Sequence, residues 1–227
     1  MDIRTVSRIA AFIVAFAACA AHAKIVTKAL DYEVDHRPMH GYLAYDDAVK
    51  EQRPGVLVLS GGKDLDDATR RHARDIAQMG YVAFAAVAQG DPASGLTLAL
   101  RAKPALDTVR KQPQTDPERL AAVGFGLGGT AVMQLAYAGA HLRTVASFDG
   151  ALTAPDADQQ RRIRCSILVL DLAGAATRDG AAADALRQAL ARVHVDFELA
   201  SYGRASHAKA ERRAWGTLRA FLGEALR

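Results

Sequence analysis

The chain has 227 residues, of which half are apolar and about a quarter are charged, with a formal net charge of +4. This length suits one domain with a full hydrophobic core, and the composition is ordinary for a soluble globular protein. The charge is too mild for a nucleic-acid partner, so the densest basic clusters, residues 70–74 and 161–164, are interpreted as solvated faces.

The first 23 residues predict an export signal. The basic residues Arg4 and Arg8 come first. Residues Ile9 to Ala21 then form an apolar stretch of about 13 residues, and Ala21-His22-Ala23 is a small-x-small cleavage motif. The apolar stretch is short for a transmembrane helix, which needs ~20 residues. We therefore expect residues 1–23 to be removed and residues 24–227 to form one exported domain, periplasmic or extracellular, with no stable membrane insertion.

The cysteines fit this interpretation. Cys165 alone would remain after cleavage, so the exported domain would have no internal disulfide. It begins an apolar run typical of a buried strand, which predicts an inert, buried side chain rather than a nucleophile. A lipoprotein signal with lipidation at Cys19 is the alternative, but Phe16 is a poor residue three places before a lipidated cysteine.

After an N-terminal hairpin, predicted strands and helices alternate. Alternating residues 25–33 and 39–45 predict the antiparallel hairpin. Further strands are predicted over residues 56–59, 81–87, 120–123, 144–148, 167–170 and 195–201, and helices over residues 66–79, 96–111, 130–137, 181–193 and 212–226. Pro104 either starts a second helix or kinks the helix that contains it. This alternation predicts an α/β fold with a mostly parallel sheet and helices on both faces.

The most informative segment is Gly124-Phe125-Gly126-Leu127-Gly128-Gly129. It lies between a predicted strand and a predicted helix, which is the context of the nucleophile elbow of a hydrolase. The flanking glycines allow a tight turn and close packing of strand and helix. The central residue should carry a hydroxyl or thiol that attacks the substrate, but Gly126 has no side chain. The sequence therefore predicts an elbow without its nucleophile.

Other motifs follow one another in a characteristic order along the mature chain. They are residues 41–46 (GYLAYD), 53–59 (RPGVLVL), 80–84 (GYVAF), 116–119 (DPER) before the elbow, 147–148 (SF) and 202–207 (YGRASH). Together with the elbow, they resemble the dienelactone hydrolase family of α/β-hydrolases over nearly the whole mature chain. The resemblance implies the α/β-hydrolase fold and an ancestral activity of ester or lactone hydrolysis by a Cys-His-Asp triad.

Carried over to this chain, the resemblance implies a degenerate triad. The nucleophile position falls on Gly126 and the acid position on Ala175 or Ala176, whereas the histidine is kept as His207. Losing the nucleophile and the acid removes the covalent route. We therefore expect the domain to act as a binding or interaction module for a small carboxylate, ester or lactone.

The resemblance also implies that the oxyanion hole persists, because it consists of backbone N–H groups, here those of Leu127 and of Gly61 or Gly62. Such a hole with substrate binding leaves ~10³–10⁴-fold acceleration over water in a disabled triad enzyme. A weak hydrolase that uses His207 and water is therefore the alternative, with Asp171 or Asp179 as the group that orients the histidine. Ser60 is a less favoured, displaced nucleophile.

A second alternative is a dinucleotide site. Gly124, Gly126 and Gly129 spell G-x-G-x-x-G, and Asp149 lies where a ribose-binding acid would stand. Against it, such a fingerprint belongs on the first strand of its fold, and the elbow already accounts for these glycines. His36 and His40 are four residues apart but lack a third ligand, so we predict neither a metal nor a cofactor.

Overall fold

A mixed sheet organises the chain, which the computed structural model describes over residues 24–62, 64–88, 95–172, 180–202 and 206–227. Within these ranges the sheet has eight strands, in the order β1-β2-β4-β3-β5-β6-β7-β8. They are β1 (Ile25–Val34), β2 (Arg37–Asp46), β3 (Arg53–Ser60), β4 (Val82–Val87), β5 (Thr115–Phe125), β6 (Thr144–Phe148), β7 (Ser166–Asp171) and β8 (Phe197–Ser201). The strands from β3 to β8 pair in parallel, whereas β2 is antiparallel to both β1 and β4.

Helices cover both faces of this sheet. The described helices are α1 (Asp67–Gln78), α2 (Gly95–Arg110), α3 (Leu127–Tyr137), α4 (Ala157–Arg162), α5 (Gly180–Ala191) and α6 (His207–Ala225). Buried residues of α1 and α6 pack on one face, and those of α2, α3 and α5 pack on the other. The predicted fold class, a mostly parallel sheet between helices with an N-terminal hairpin, is confirmed.

The central strands are buried on both sides, which explains why they are continuous apolar runs in the sequence. In β3, Leu57 and Leu59 belong to the α2/α3/α5 core, and Val56 and Val58 belong to the α1/α6 core. All four side chains are fully buried. Because these strands are parallel, their amino ends lie at one edge of the sheet and their carboxyl ends lie at the opposite edge. Side chains at the carboxyl edge can meet a ligand.

A two-residue turn closes the β1–β2 hairpin. Asp35 and His36 have positive φ angles of 49° and 61°, as a type I′ turn requires, and Val34 pairs with Arg37 across it. His40 lies outside the turn, and its Nδ1 is 2.7 Å from Oδ1 of Asp31. The two histidines therefore occupy different surroundings, and no group of three or more potential metal ligands occurs within the described ranges.

The sequence-based boundaries differ from the structure at several elements; β5, for example, begins at Thr115, five residues before the predicted start. The last helix begins at His207, five residues before the predicted start, and α2 continues through Pro104. The short helix α4 was not predicted. It has no apolar periodicity, although its Asp156 and Gln159 form a capping box, in which each side chain accepts the other's backbone N–H.

Cys165 is buried directly before β7, and burial raises the pKa of its thiol to about 12. The thiol is therefore protonated at neutral pH, which is the state of an inert side chain rather than of a nucleophile. Among the helices of the described segments, none is long and apolar enough to cross a membrane.

Candidate active site

The predicted elbow is a sharp turn between β5 and α3 at the carboxyl edge of the sheet. Gly126 adopts φ 55° and ψ −120°, a conformation that glycine reaches without the strain of a Cβ atom. Its N–H donates to the carbonyl of Phe148 at 2.8 Å, and its own carbonyl accepts from the N–H of Thr130 at 3.1 Å. Both sides of the turn are therefore held by the neighbouring strand and by the first turn of α3.

The other glycines of the segment are required by close packing. A Cβ atom on Gly124 would lie 2.1 Å from the carbonyl oxygen of Gly128, and one on Gly128 would lie 2.2 Å from that of Leu59. A Cβ on Gly129 would lie 2.7 Å from Oγ of Ser147. By contrast, a Cβ on Gly126 would meet nothing within 4 Å. Gly126 therefore faces open space, at the turn where the sequence predicts a nucleophile elbow.

The two residues predicted to form an oxyanion hole lie side by side. Leu127 is the first residue of α3, where a helix provides no acceptor for the backbone N–H. Gly61 directly follows β3, and it packs so closely against α3 that a Cβ on it would lie 2.8 Å from the backbone nitrogen of Leu127. Backbone donors at the start of a helix favour an anion or a carbonyl oxygen, because the helix dipole adds positive potential there.

His207 is the first residue of α6, and its side chain is exposed. No hydrogen bond or ion pair joins it to another residue of the described part of the chain. Asp171 ends β7 at the same edge of the sheet, with 2% of its surface exposed, and its Oδ2 accepts a hydrogen bond from Oγ of Ser201 at 2.8 Å. The predicted acid position, Ala175 or Ala176, and the alternative Asp179 lie outside the described residues.

Two other candidates occupy structural positions. Ser60 is 6% exposed, and its hydroxyl is buried without a hydrogen-bond partner among the described residues, so a substrate does not reach it. Asp149, with a positive φ of 51°, accepts a hydrogen bond from the N–H of Leu172 at 2.7 Å and so ties the end of β6 to the end of β7. The glycine motif lies on β5, in a strand order that differs from the 3-2-1-4-5-6 order of the Rossmann fold.

Sequence reasoning missed an aromatic cluster that supports the elbow from the α1/α6 face. The ring of Phe125 stacks on His72 with the centroids 4.1 Å apart and on Phe148 with the centroids 4.7 Å apart. Trp215 of α6 closes the cluster, 5.4 Å from His72. Burial lowers the pKa of His72, whose Nδ1 has no hydrogen-bond partner among the described residues. The sequence signal that could have indicated this cluster is the spacing of Thr69, His72 and Ile76, which places all three on one side of α1.

Comparisons with known proteins agree with this geometry. The sequence model of the dienelactone hydrolase family matches residues 91–217. A solved structure named m3DLH has a TM-score of 0.80 and 29% identity, covering 89% of this chain and 99% of its own. A dienelactone hydrolase-like promiscuous phosphotriesterase from metagenomic libraries has a TM-score of 0.83 and 26% identity, covering 91% and 100%.

A dienelactone hydrolase from Anabaena variabilis, 18% identical, shares the fold with a TM-score of 0.69 and covers 89% of this chain and 99% of its own. A search of curated proteins gave no match.

Proposed function

Because the chain belongs to the dienelactone hydrolase family of α/β-hydrolases, we propose that it binds a small carboxylate, ester or lactone at the elbow without forming a covalent intermediate. The observation that carries the proposal is Gly126, which stands in the turn with open space above it and no atom that could attack. The family's thiol chemistry requires a nucleophile at this position.

The groups that remain at the elbow suit binding. The N–H of Leu127 lies beside Gly61 at the start of α3, so a carbonyl or carboxylate oxygen would find backbone donors and a favourable helix dipole. These donors belong to the main chain, and the loss of catalytic side chains leaves them in place. Binding therefore survives a change that abolishes acyl transfer.

Water-based hydrolysis through His207 has less support. A histidine acts as a general base when it lies within hydrogen-bond reach of the proton that it removes and when a second group orients it. His207 is exposed, and it has no hydrogen-bond partner in the described part of the chain. Hydrolysis through His207 is therefore the alternative function, and an activity assay must exclude it.

Binding is tested by isothermal titration calorimetry of the purified protein with acetate, a lactone and, because one similar structure is named a phosphotriesterase, a phosphotriester. The matched variant is Gly61→Ala, whose methyl group would press on the Leu127 nitrogen, and the control is Gly216→Ala, where the added methyl group meets nothing within 4 Å. We expect a ligand of the natural protein to lose about tenfold or more in affinity in Gly61→Ala and to be unaffected in the control. Absence of binding by every compound would contradict the proposal.

Catalysis is tested with a chromogenic short-chain ester and a lactone. We expect the natural protein to be inert and Gly126→Cys to gain measurable ester cleavage, because the thiol would enter open space beside the Leu127 N–H. His207→Ala in the Gly126→Cys background should abolish that gain. Activity of the natural protein that disappears in His207→Ala alone would instead establish a hydrolase with a rearranged mechanism.

We further propose that this domain is exported after cleavage behind Ala23. The backbone of Lys24 belongs to the hairpin, since its N–H donates to Asp46 at 3.0 Å and its carbonyl accepts from Asp47. Cleavage there would leave the hairpin intact. Mass spectrometry of the protein recovered from the producing cells should give a chain that begins at Lys24, and an intact Met1 would contradict the proposal.

A further inference from the structure

A basic cavity lies at the amino edge of the sheet, opposite the elbow. Its volume is about 580 Å³, and its lining includes three arginines, Arg161, Arg164 and Arg192, together with His194. No Asp or Glu from the described ranges lines it. Arg161 lies on α4, Arg164 lies in the connection between α4 and β7, and Arg192 lies in the connection between α5 and β8. The fold thus brings together charges about 30 positions apart in the chain.

Buried neighbours and backbone hydrogen bonds hold these connections in place. Ile163 and Cys165 are each 1% exposed and flank Arg164. Nη1 of Arg164 donates to the carbonyls of Arg161 at 2.7 Å and Ile163 at 2.9 Å, and the N–H of Arg192 donates to Ala189. The side chains therefore project from a fixed backbone rather than from a free loop.

Most of the positive charge in this cavity is not neutralised. Arg161 pairs with Asp158, but Arg192 and His194 have no hydrogen bond or ion pair from their side chains to any described residue. Arg164 uses only Nη1, and its two acceptors are neutral carbonyls. An adjoining cavity of about 540 Å³ shares Arg164 and His194 with the first cavity. Its lining also includes Arg143 and one carboxylate, that of Asp196.

We propose that this cavity binds a phosphate group, either free or at the end of a larger ligand. Several guanidinium groups in one concave site suit a phosphate, because its tetrahedral oxygens can accept hydrogen bonds from more than one planar fork, whereas a carboxylate offers two oxygens and a single charge. A cleft with one sign of charge also focuses the potential and attracts such an ion. The site is separate from the elbow and does not depend on the function proposed there.

The test is isothermal titration calorimetry of the full chain with inorganic phosphate and inorganic pyrophosphate at low ionic strength. The variant is Arg192→Gln combined with Arg164→Gln. Each single variant, Arg192→Gln and Arg164→Gln, is also compared with the control Arg37→Gln, which likewise removes one positive charge, from an exposed residue of β2 with no described ion pair. We expect one equivalent of pyrophosphate to bind the natural protein and the control, with at least tenfold weaker binding by the double variant. Thermal melting of each variant checks that it is folded.

A parallel experiment distinguishes the source of the phosphate. Vesicles of phosphatidylcholine with and without phosphatidylglycerol are sedimented with the protein, in the presence and absence of pyrophosphate. Binding only to the phosphatidylglycerol vesicles, competed by pyrophosphate and lost in the double variant, would identify a lipid headgroup, whereas binding to pyrophosphate alone would identify a soluble ligand. Failure of both probes, or equal weakening in Arg37→Gln, would overturn the proposal.

Discussion

The glycines of the elbow differ in what prevents a larger side chain. Gly124 is limited by space, since an added Cβ would lie 2.1 Å from a backbone oxygen of Gly128. Gly126 is limited by conformation, because its φ of 55° strains any other residue although the surrounding space is open. Gly216, in the middle of α6, has neither limit. The first of these glycines is thus constrained by space, the second by backbone conformation and the third by neither.

These differences predict an order of stability for three alanine variants. Gly216→Ala should raise the free energy of unfolding by up to about 1 kcal/mol, because alanine favours the helix. Gly126→Ala should lower it by about 1–3 kcal/mol through backbone strain. Gly124→Ala should lower it by about 3 kcal/mol or more, since relief of the contact requires β5 and α3 to separate. Urea unfolding measures all three, and equal values for Gly124→Ala and Gly126→Ala would contradict this account.

Among the helices, α1 has a well-defined start. Asp66 caps it, and Oδ1 of Asp66 accepts from Oγ1 of Thr69 at 2.6 Å and from its N–H at 2.8 Å. These hydrogen bonds, the side-chain bond first, lower the pKa of Asp66. The cap stabilises the helix that carries His72, so it also contributes to the support beneath the elbow.

Because the folded-state pKa of Asp66 is depressed, its stabilisation is present above the usual value of 3.8 and is lost as the pH falls through the folded-state pKa. Asp66→Ala should therefore lower the free energy of unfolding by about 1 kcal/mol at pH 7, with a smaller difference in acid. Asp66→Ser is the control, since a serine keeps the cap without a titrating carboxyl group. If Asp66→Ala and Asp66→Ser were equally unstable at pH 7, the cap would not be the source of the effect.

The helix α6 shows the limit of prediction for a single element. Its apolar pattern predicted a start near Arg212, but the structure begins it at His207, after the N-cap residue Ser206. The first turn is exposed except for Ala210, a small residue that gives a weak apolar signal, so the sequence contains little evidence for this turn. This difference bears on the predicted site, because His207 lies on the helix instead of in a preceding loop.

Across the whole molecule, the aromatic cluster joins elements from distant parts of the chain. His72 of α1, Phe125 of β5, Phe148 of β6 and Trp215 of α6 are in ring contact. Burial is the main cause of the lowered pKa of His72, which Arg71 lowers further and which Asp75, Glu211 and Asp66 partly restore. The neutral imidazole is therefore the form that the packed cluster accepts.

A lowered pKa means that the unfolded chain takes up the proton before the folded protein does. Stability contributed by neutral His72 should thus be complete above the usual pKa of 6.5 and should decline as the pH falls below it. In His72→Phe, we expect a smaller loss of unfolding free energy between pH 7 and pH 5 than in the natural protein. His194→Phe, which changes an exposed histidine, should leave that loss unchanged. Identical pH profiles of His72→Phe and the natural protein would contradict the prediction.

Much of the architecture could be predicted because its signals are local. Continuous apolar runs such as β3 report burial on both faces, and the alternation of strand and helix restricts the fold to a mostly parallel sheet. The absence of a nucleophile at position 126 is also local, since glycine has no attacking atom in any fold. The glycine spacing around it predicted the turn because tight strand-to-helix packing excludes side chains.

The remaining features required the tertiary structure, because each depends on residues that are far apart in the chain. Nothing in the local sequence pairs His72 with Phe125 and Trp215. Gly61 and Leu127 were paired through the family resemblance alone, and the folded sheet is what places them side by side. The same holds for Arg161 and Arg164, which the sequence predicted to lie on a solvated face and which the structure places around one cavity with Arg192. The sequence alone therefore establishes that residue 126 has no side chain that could attack a substrate. The tertiary structure determines which of the other groups meet, because only folding brings distant side chains within interaction distance.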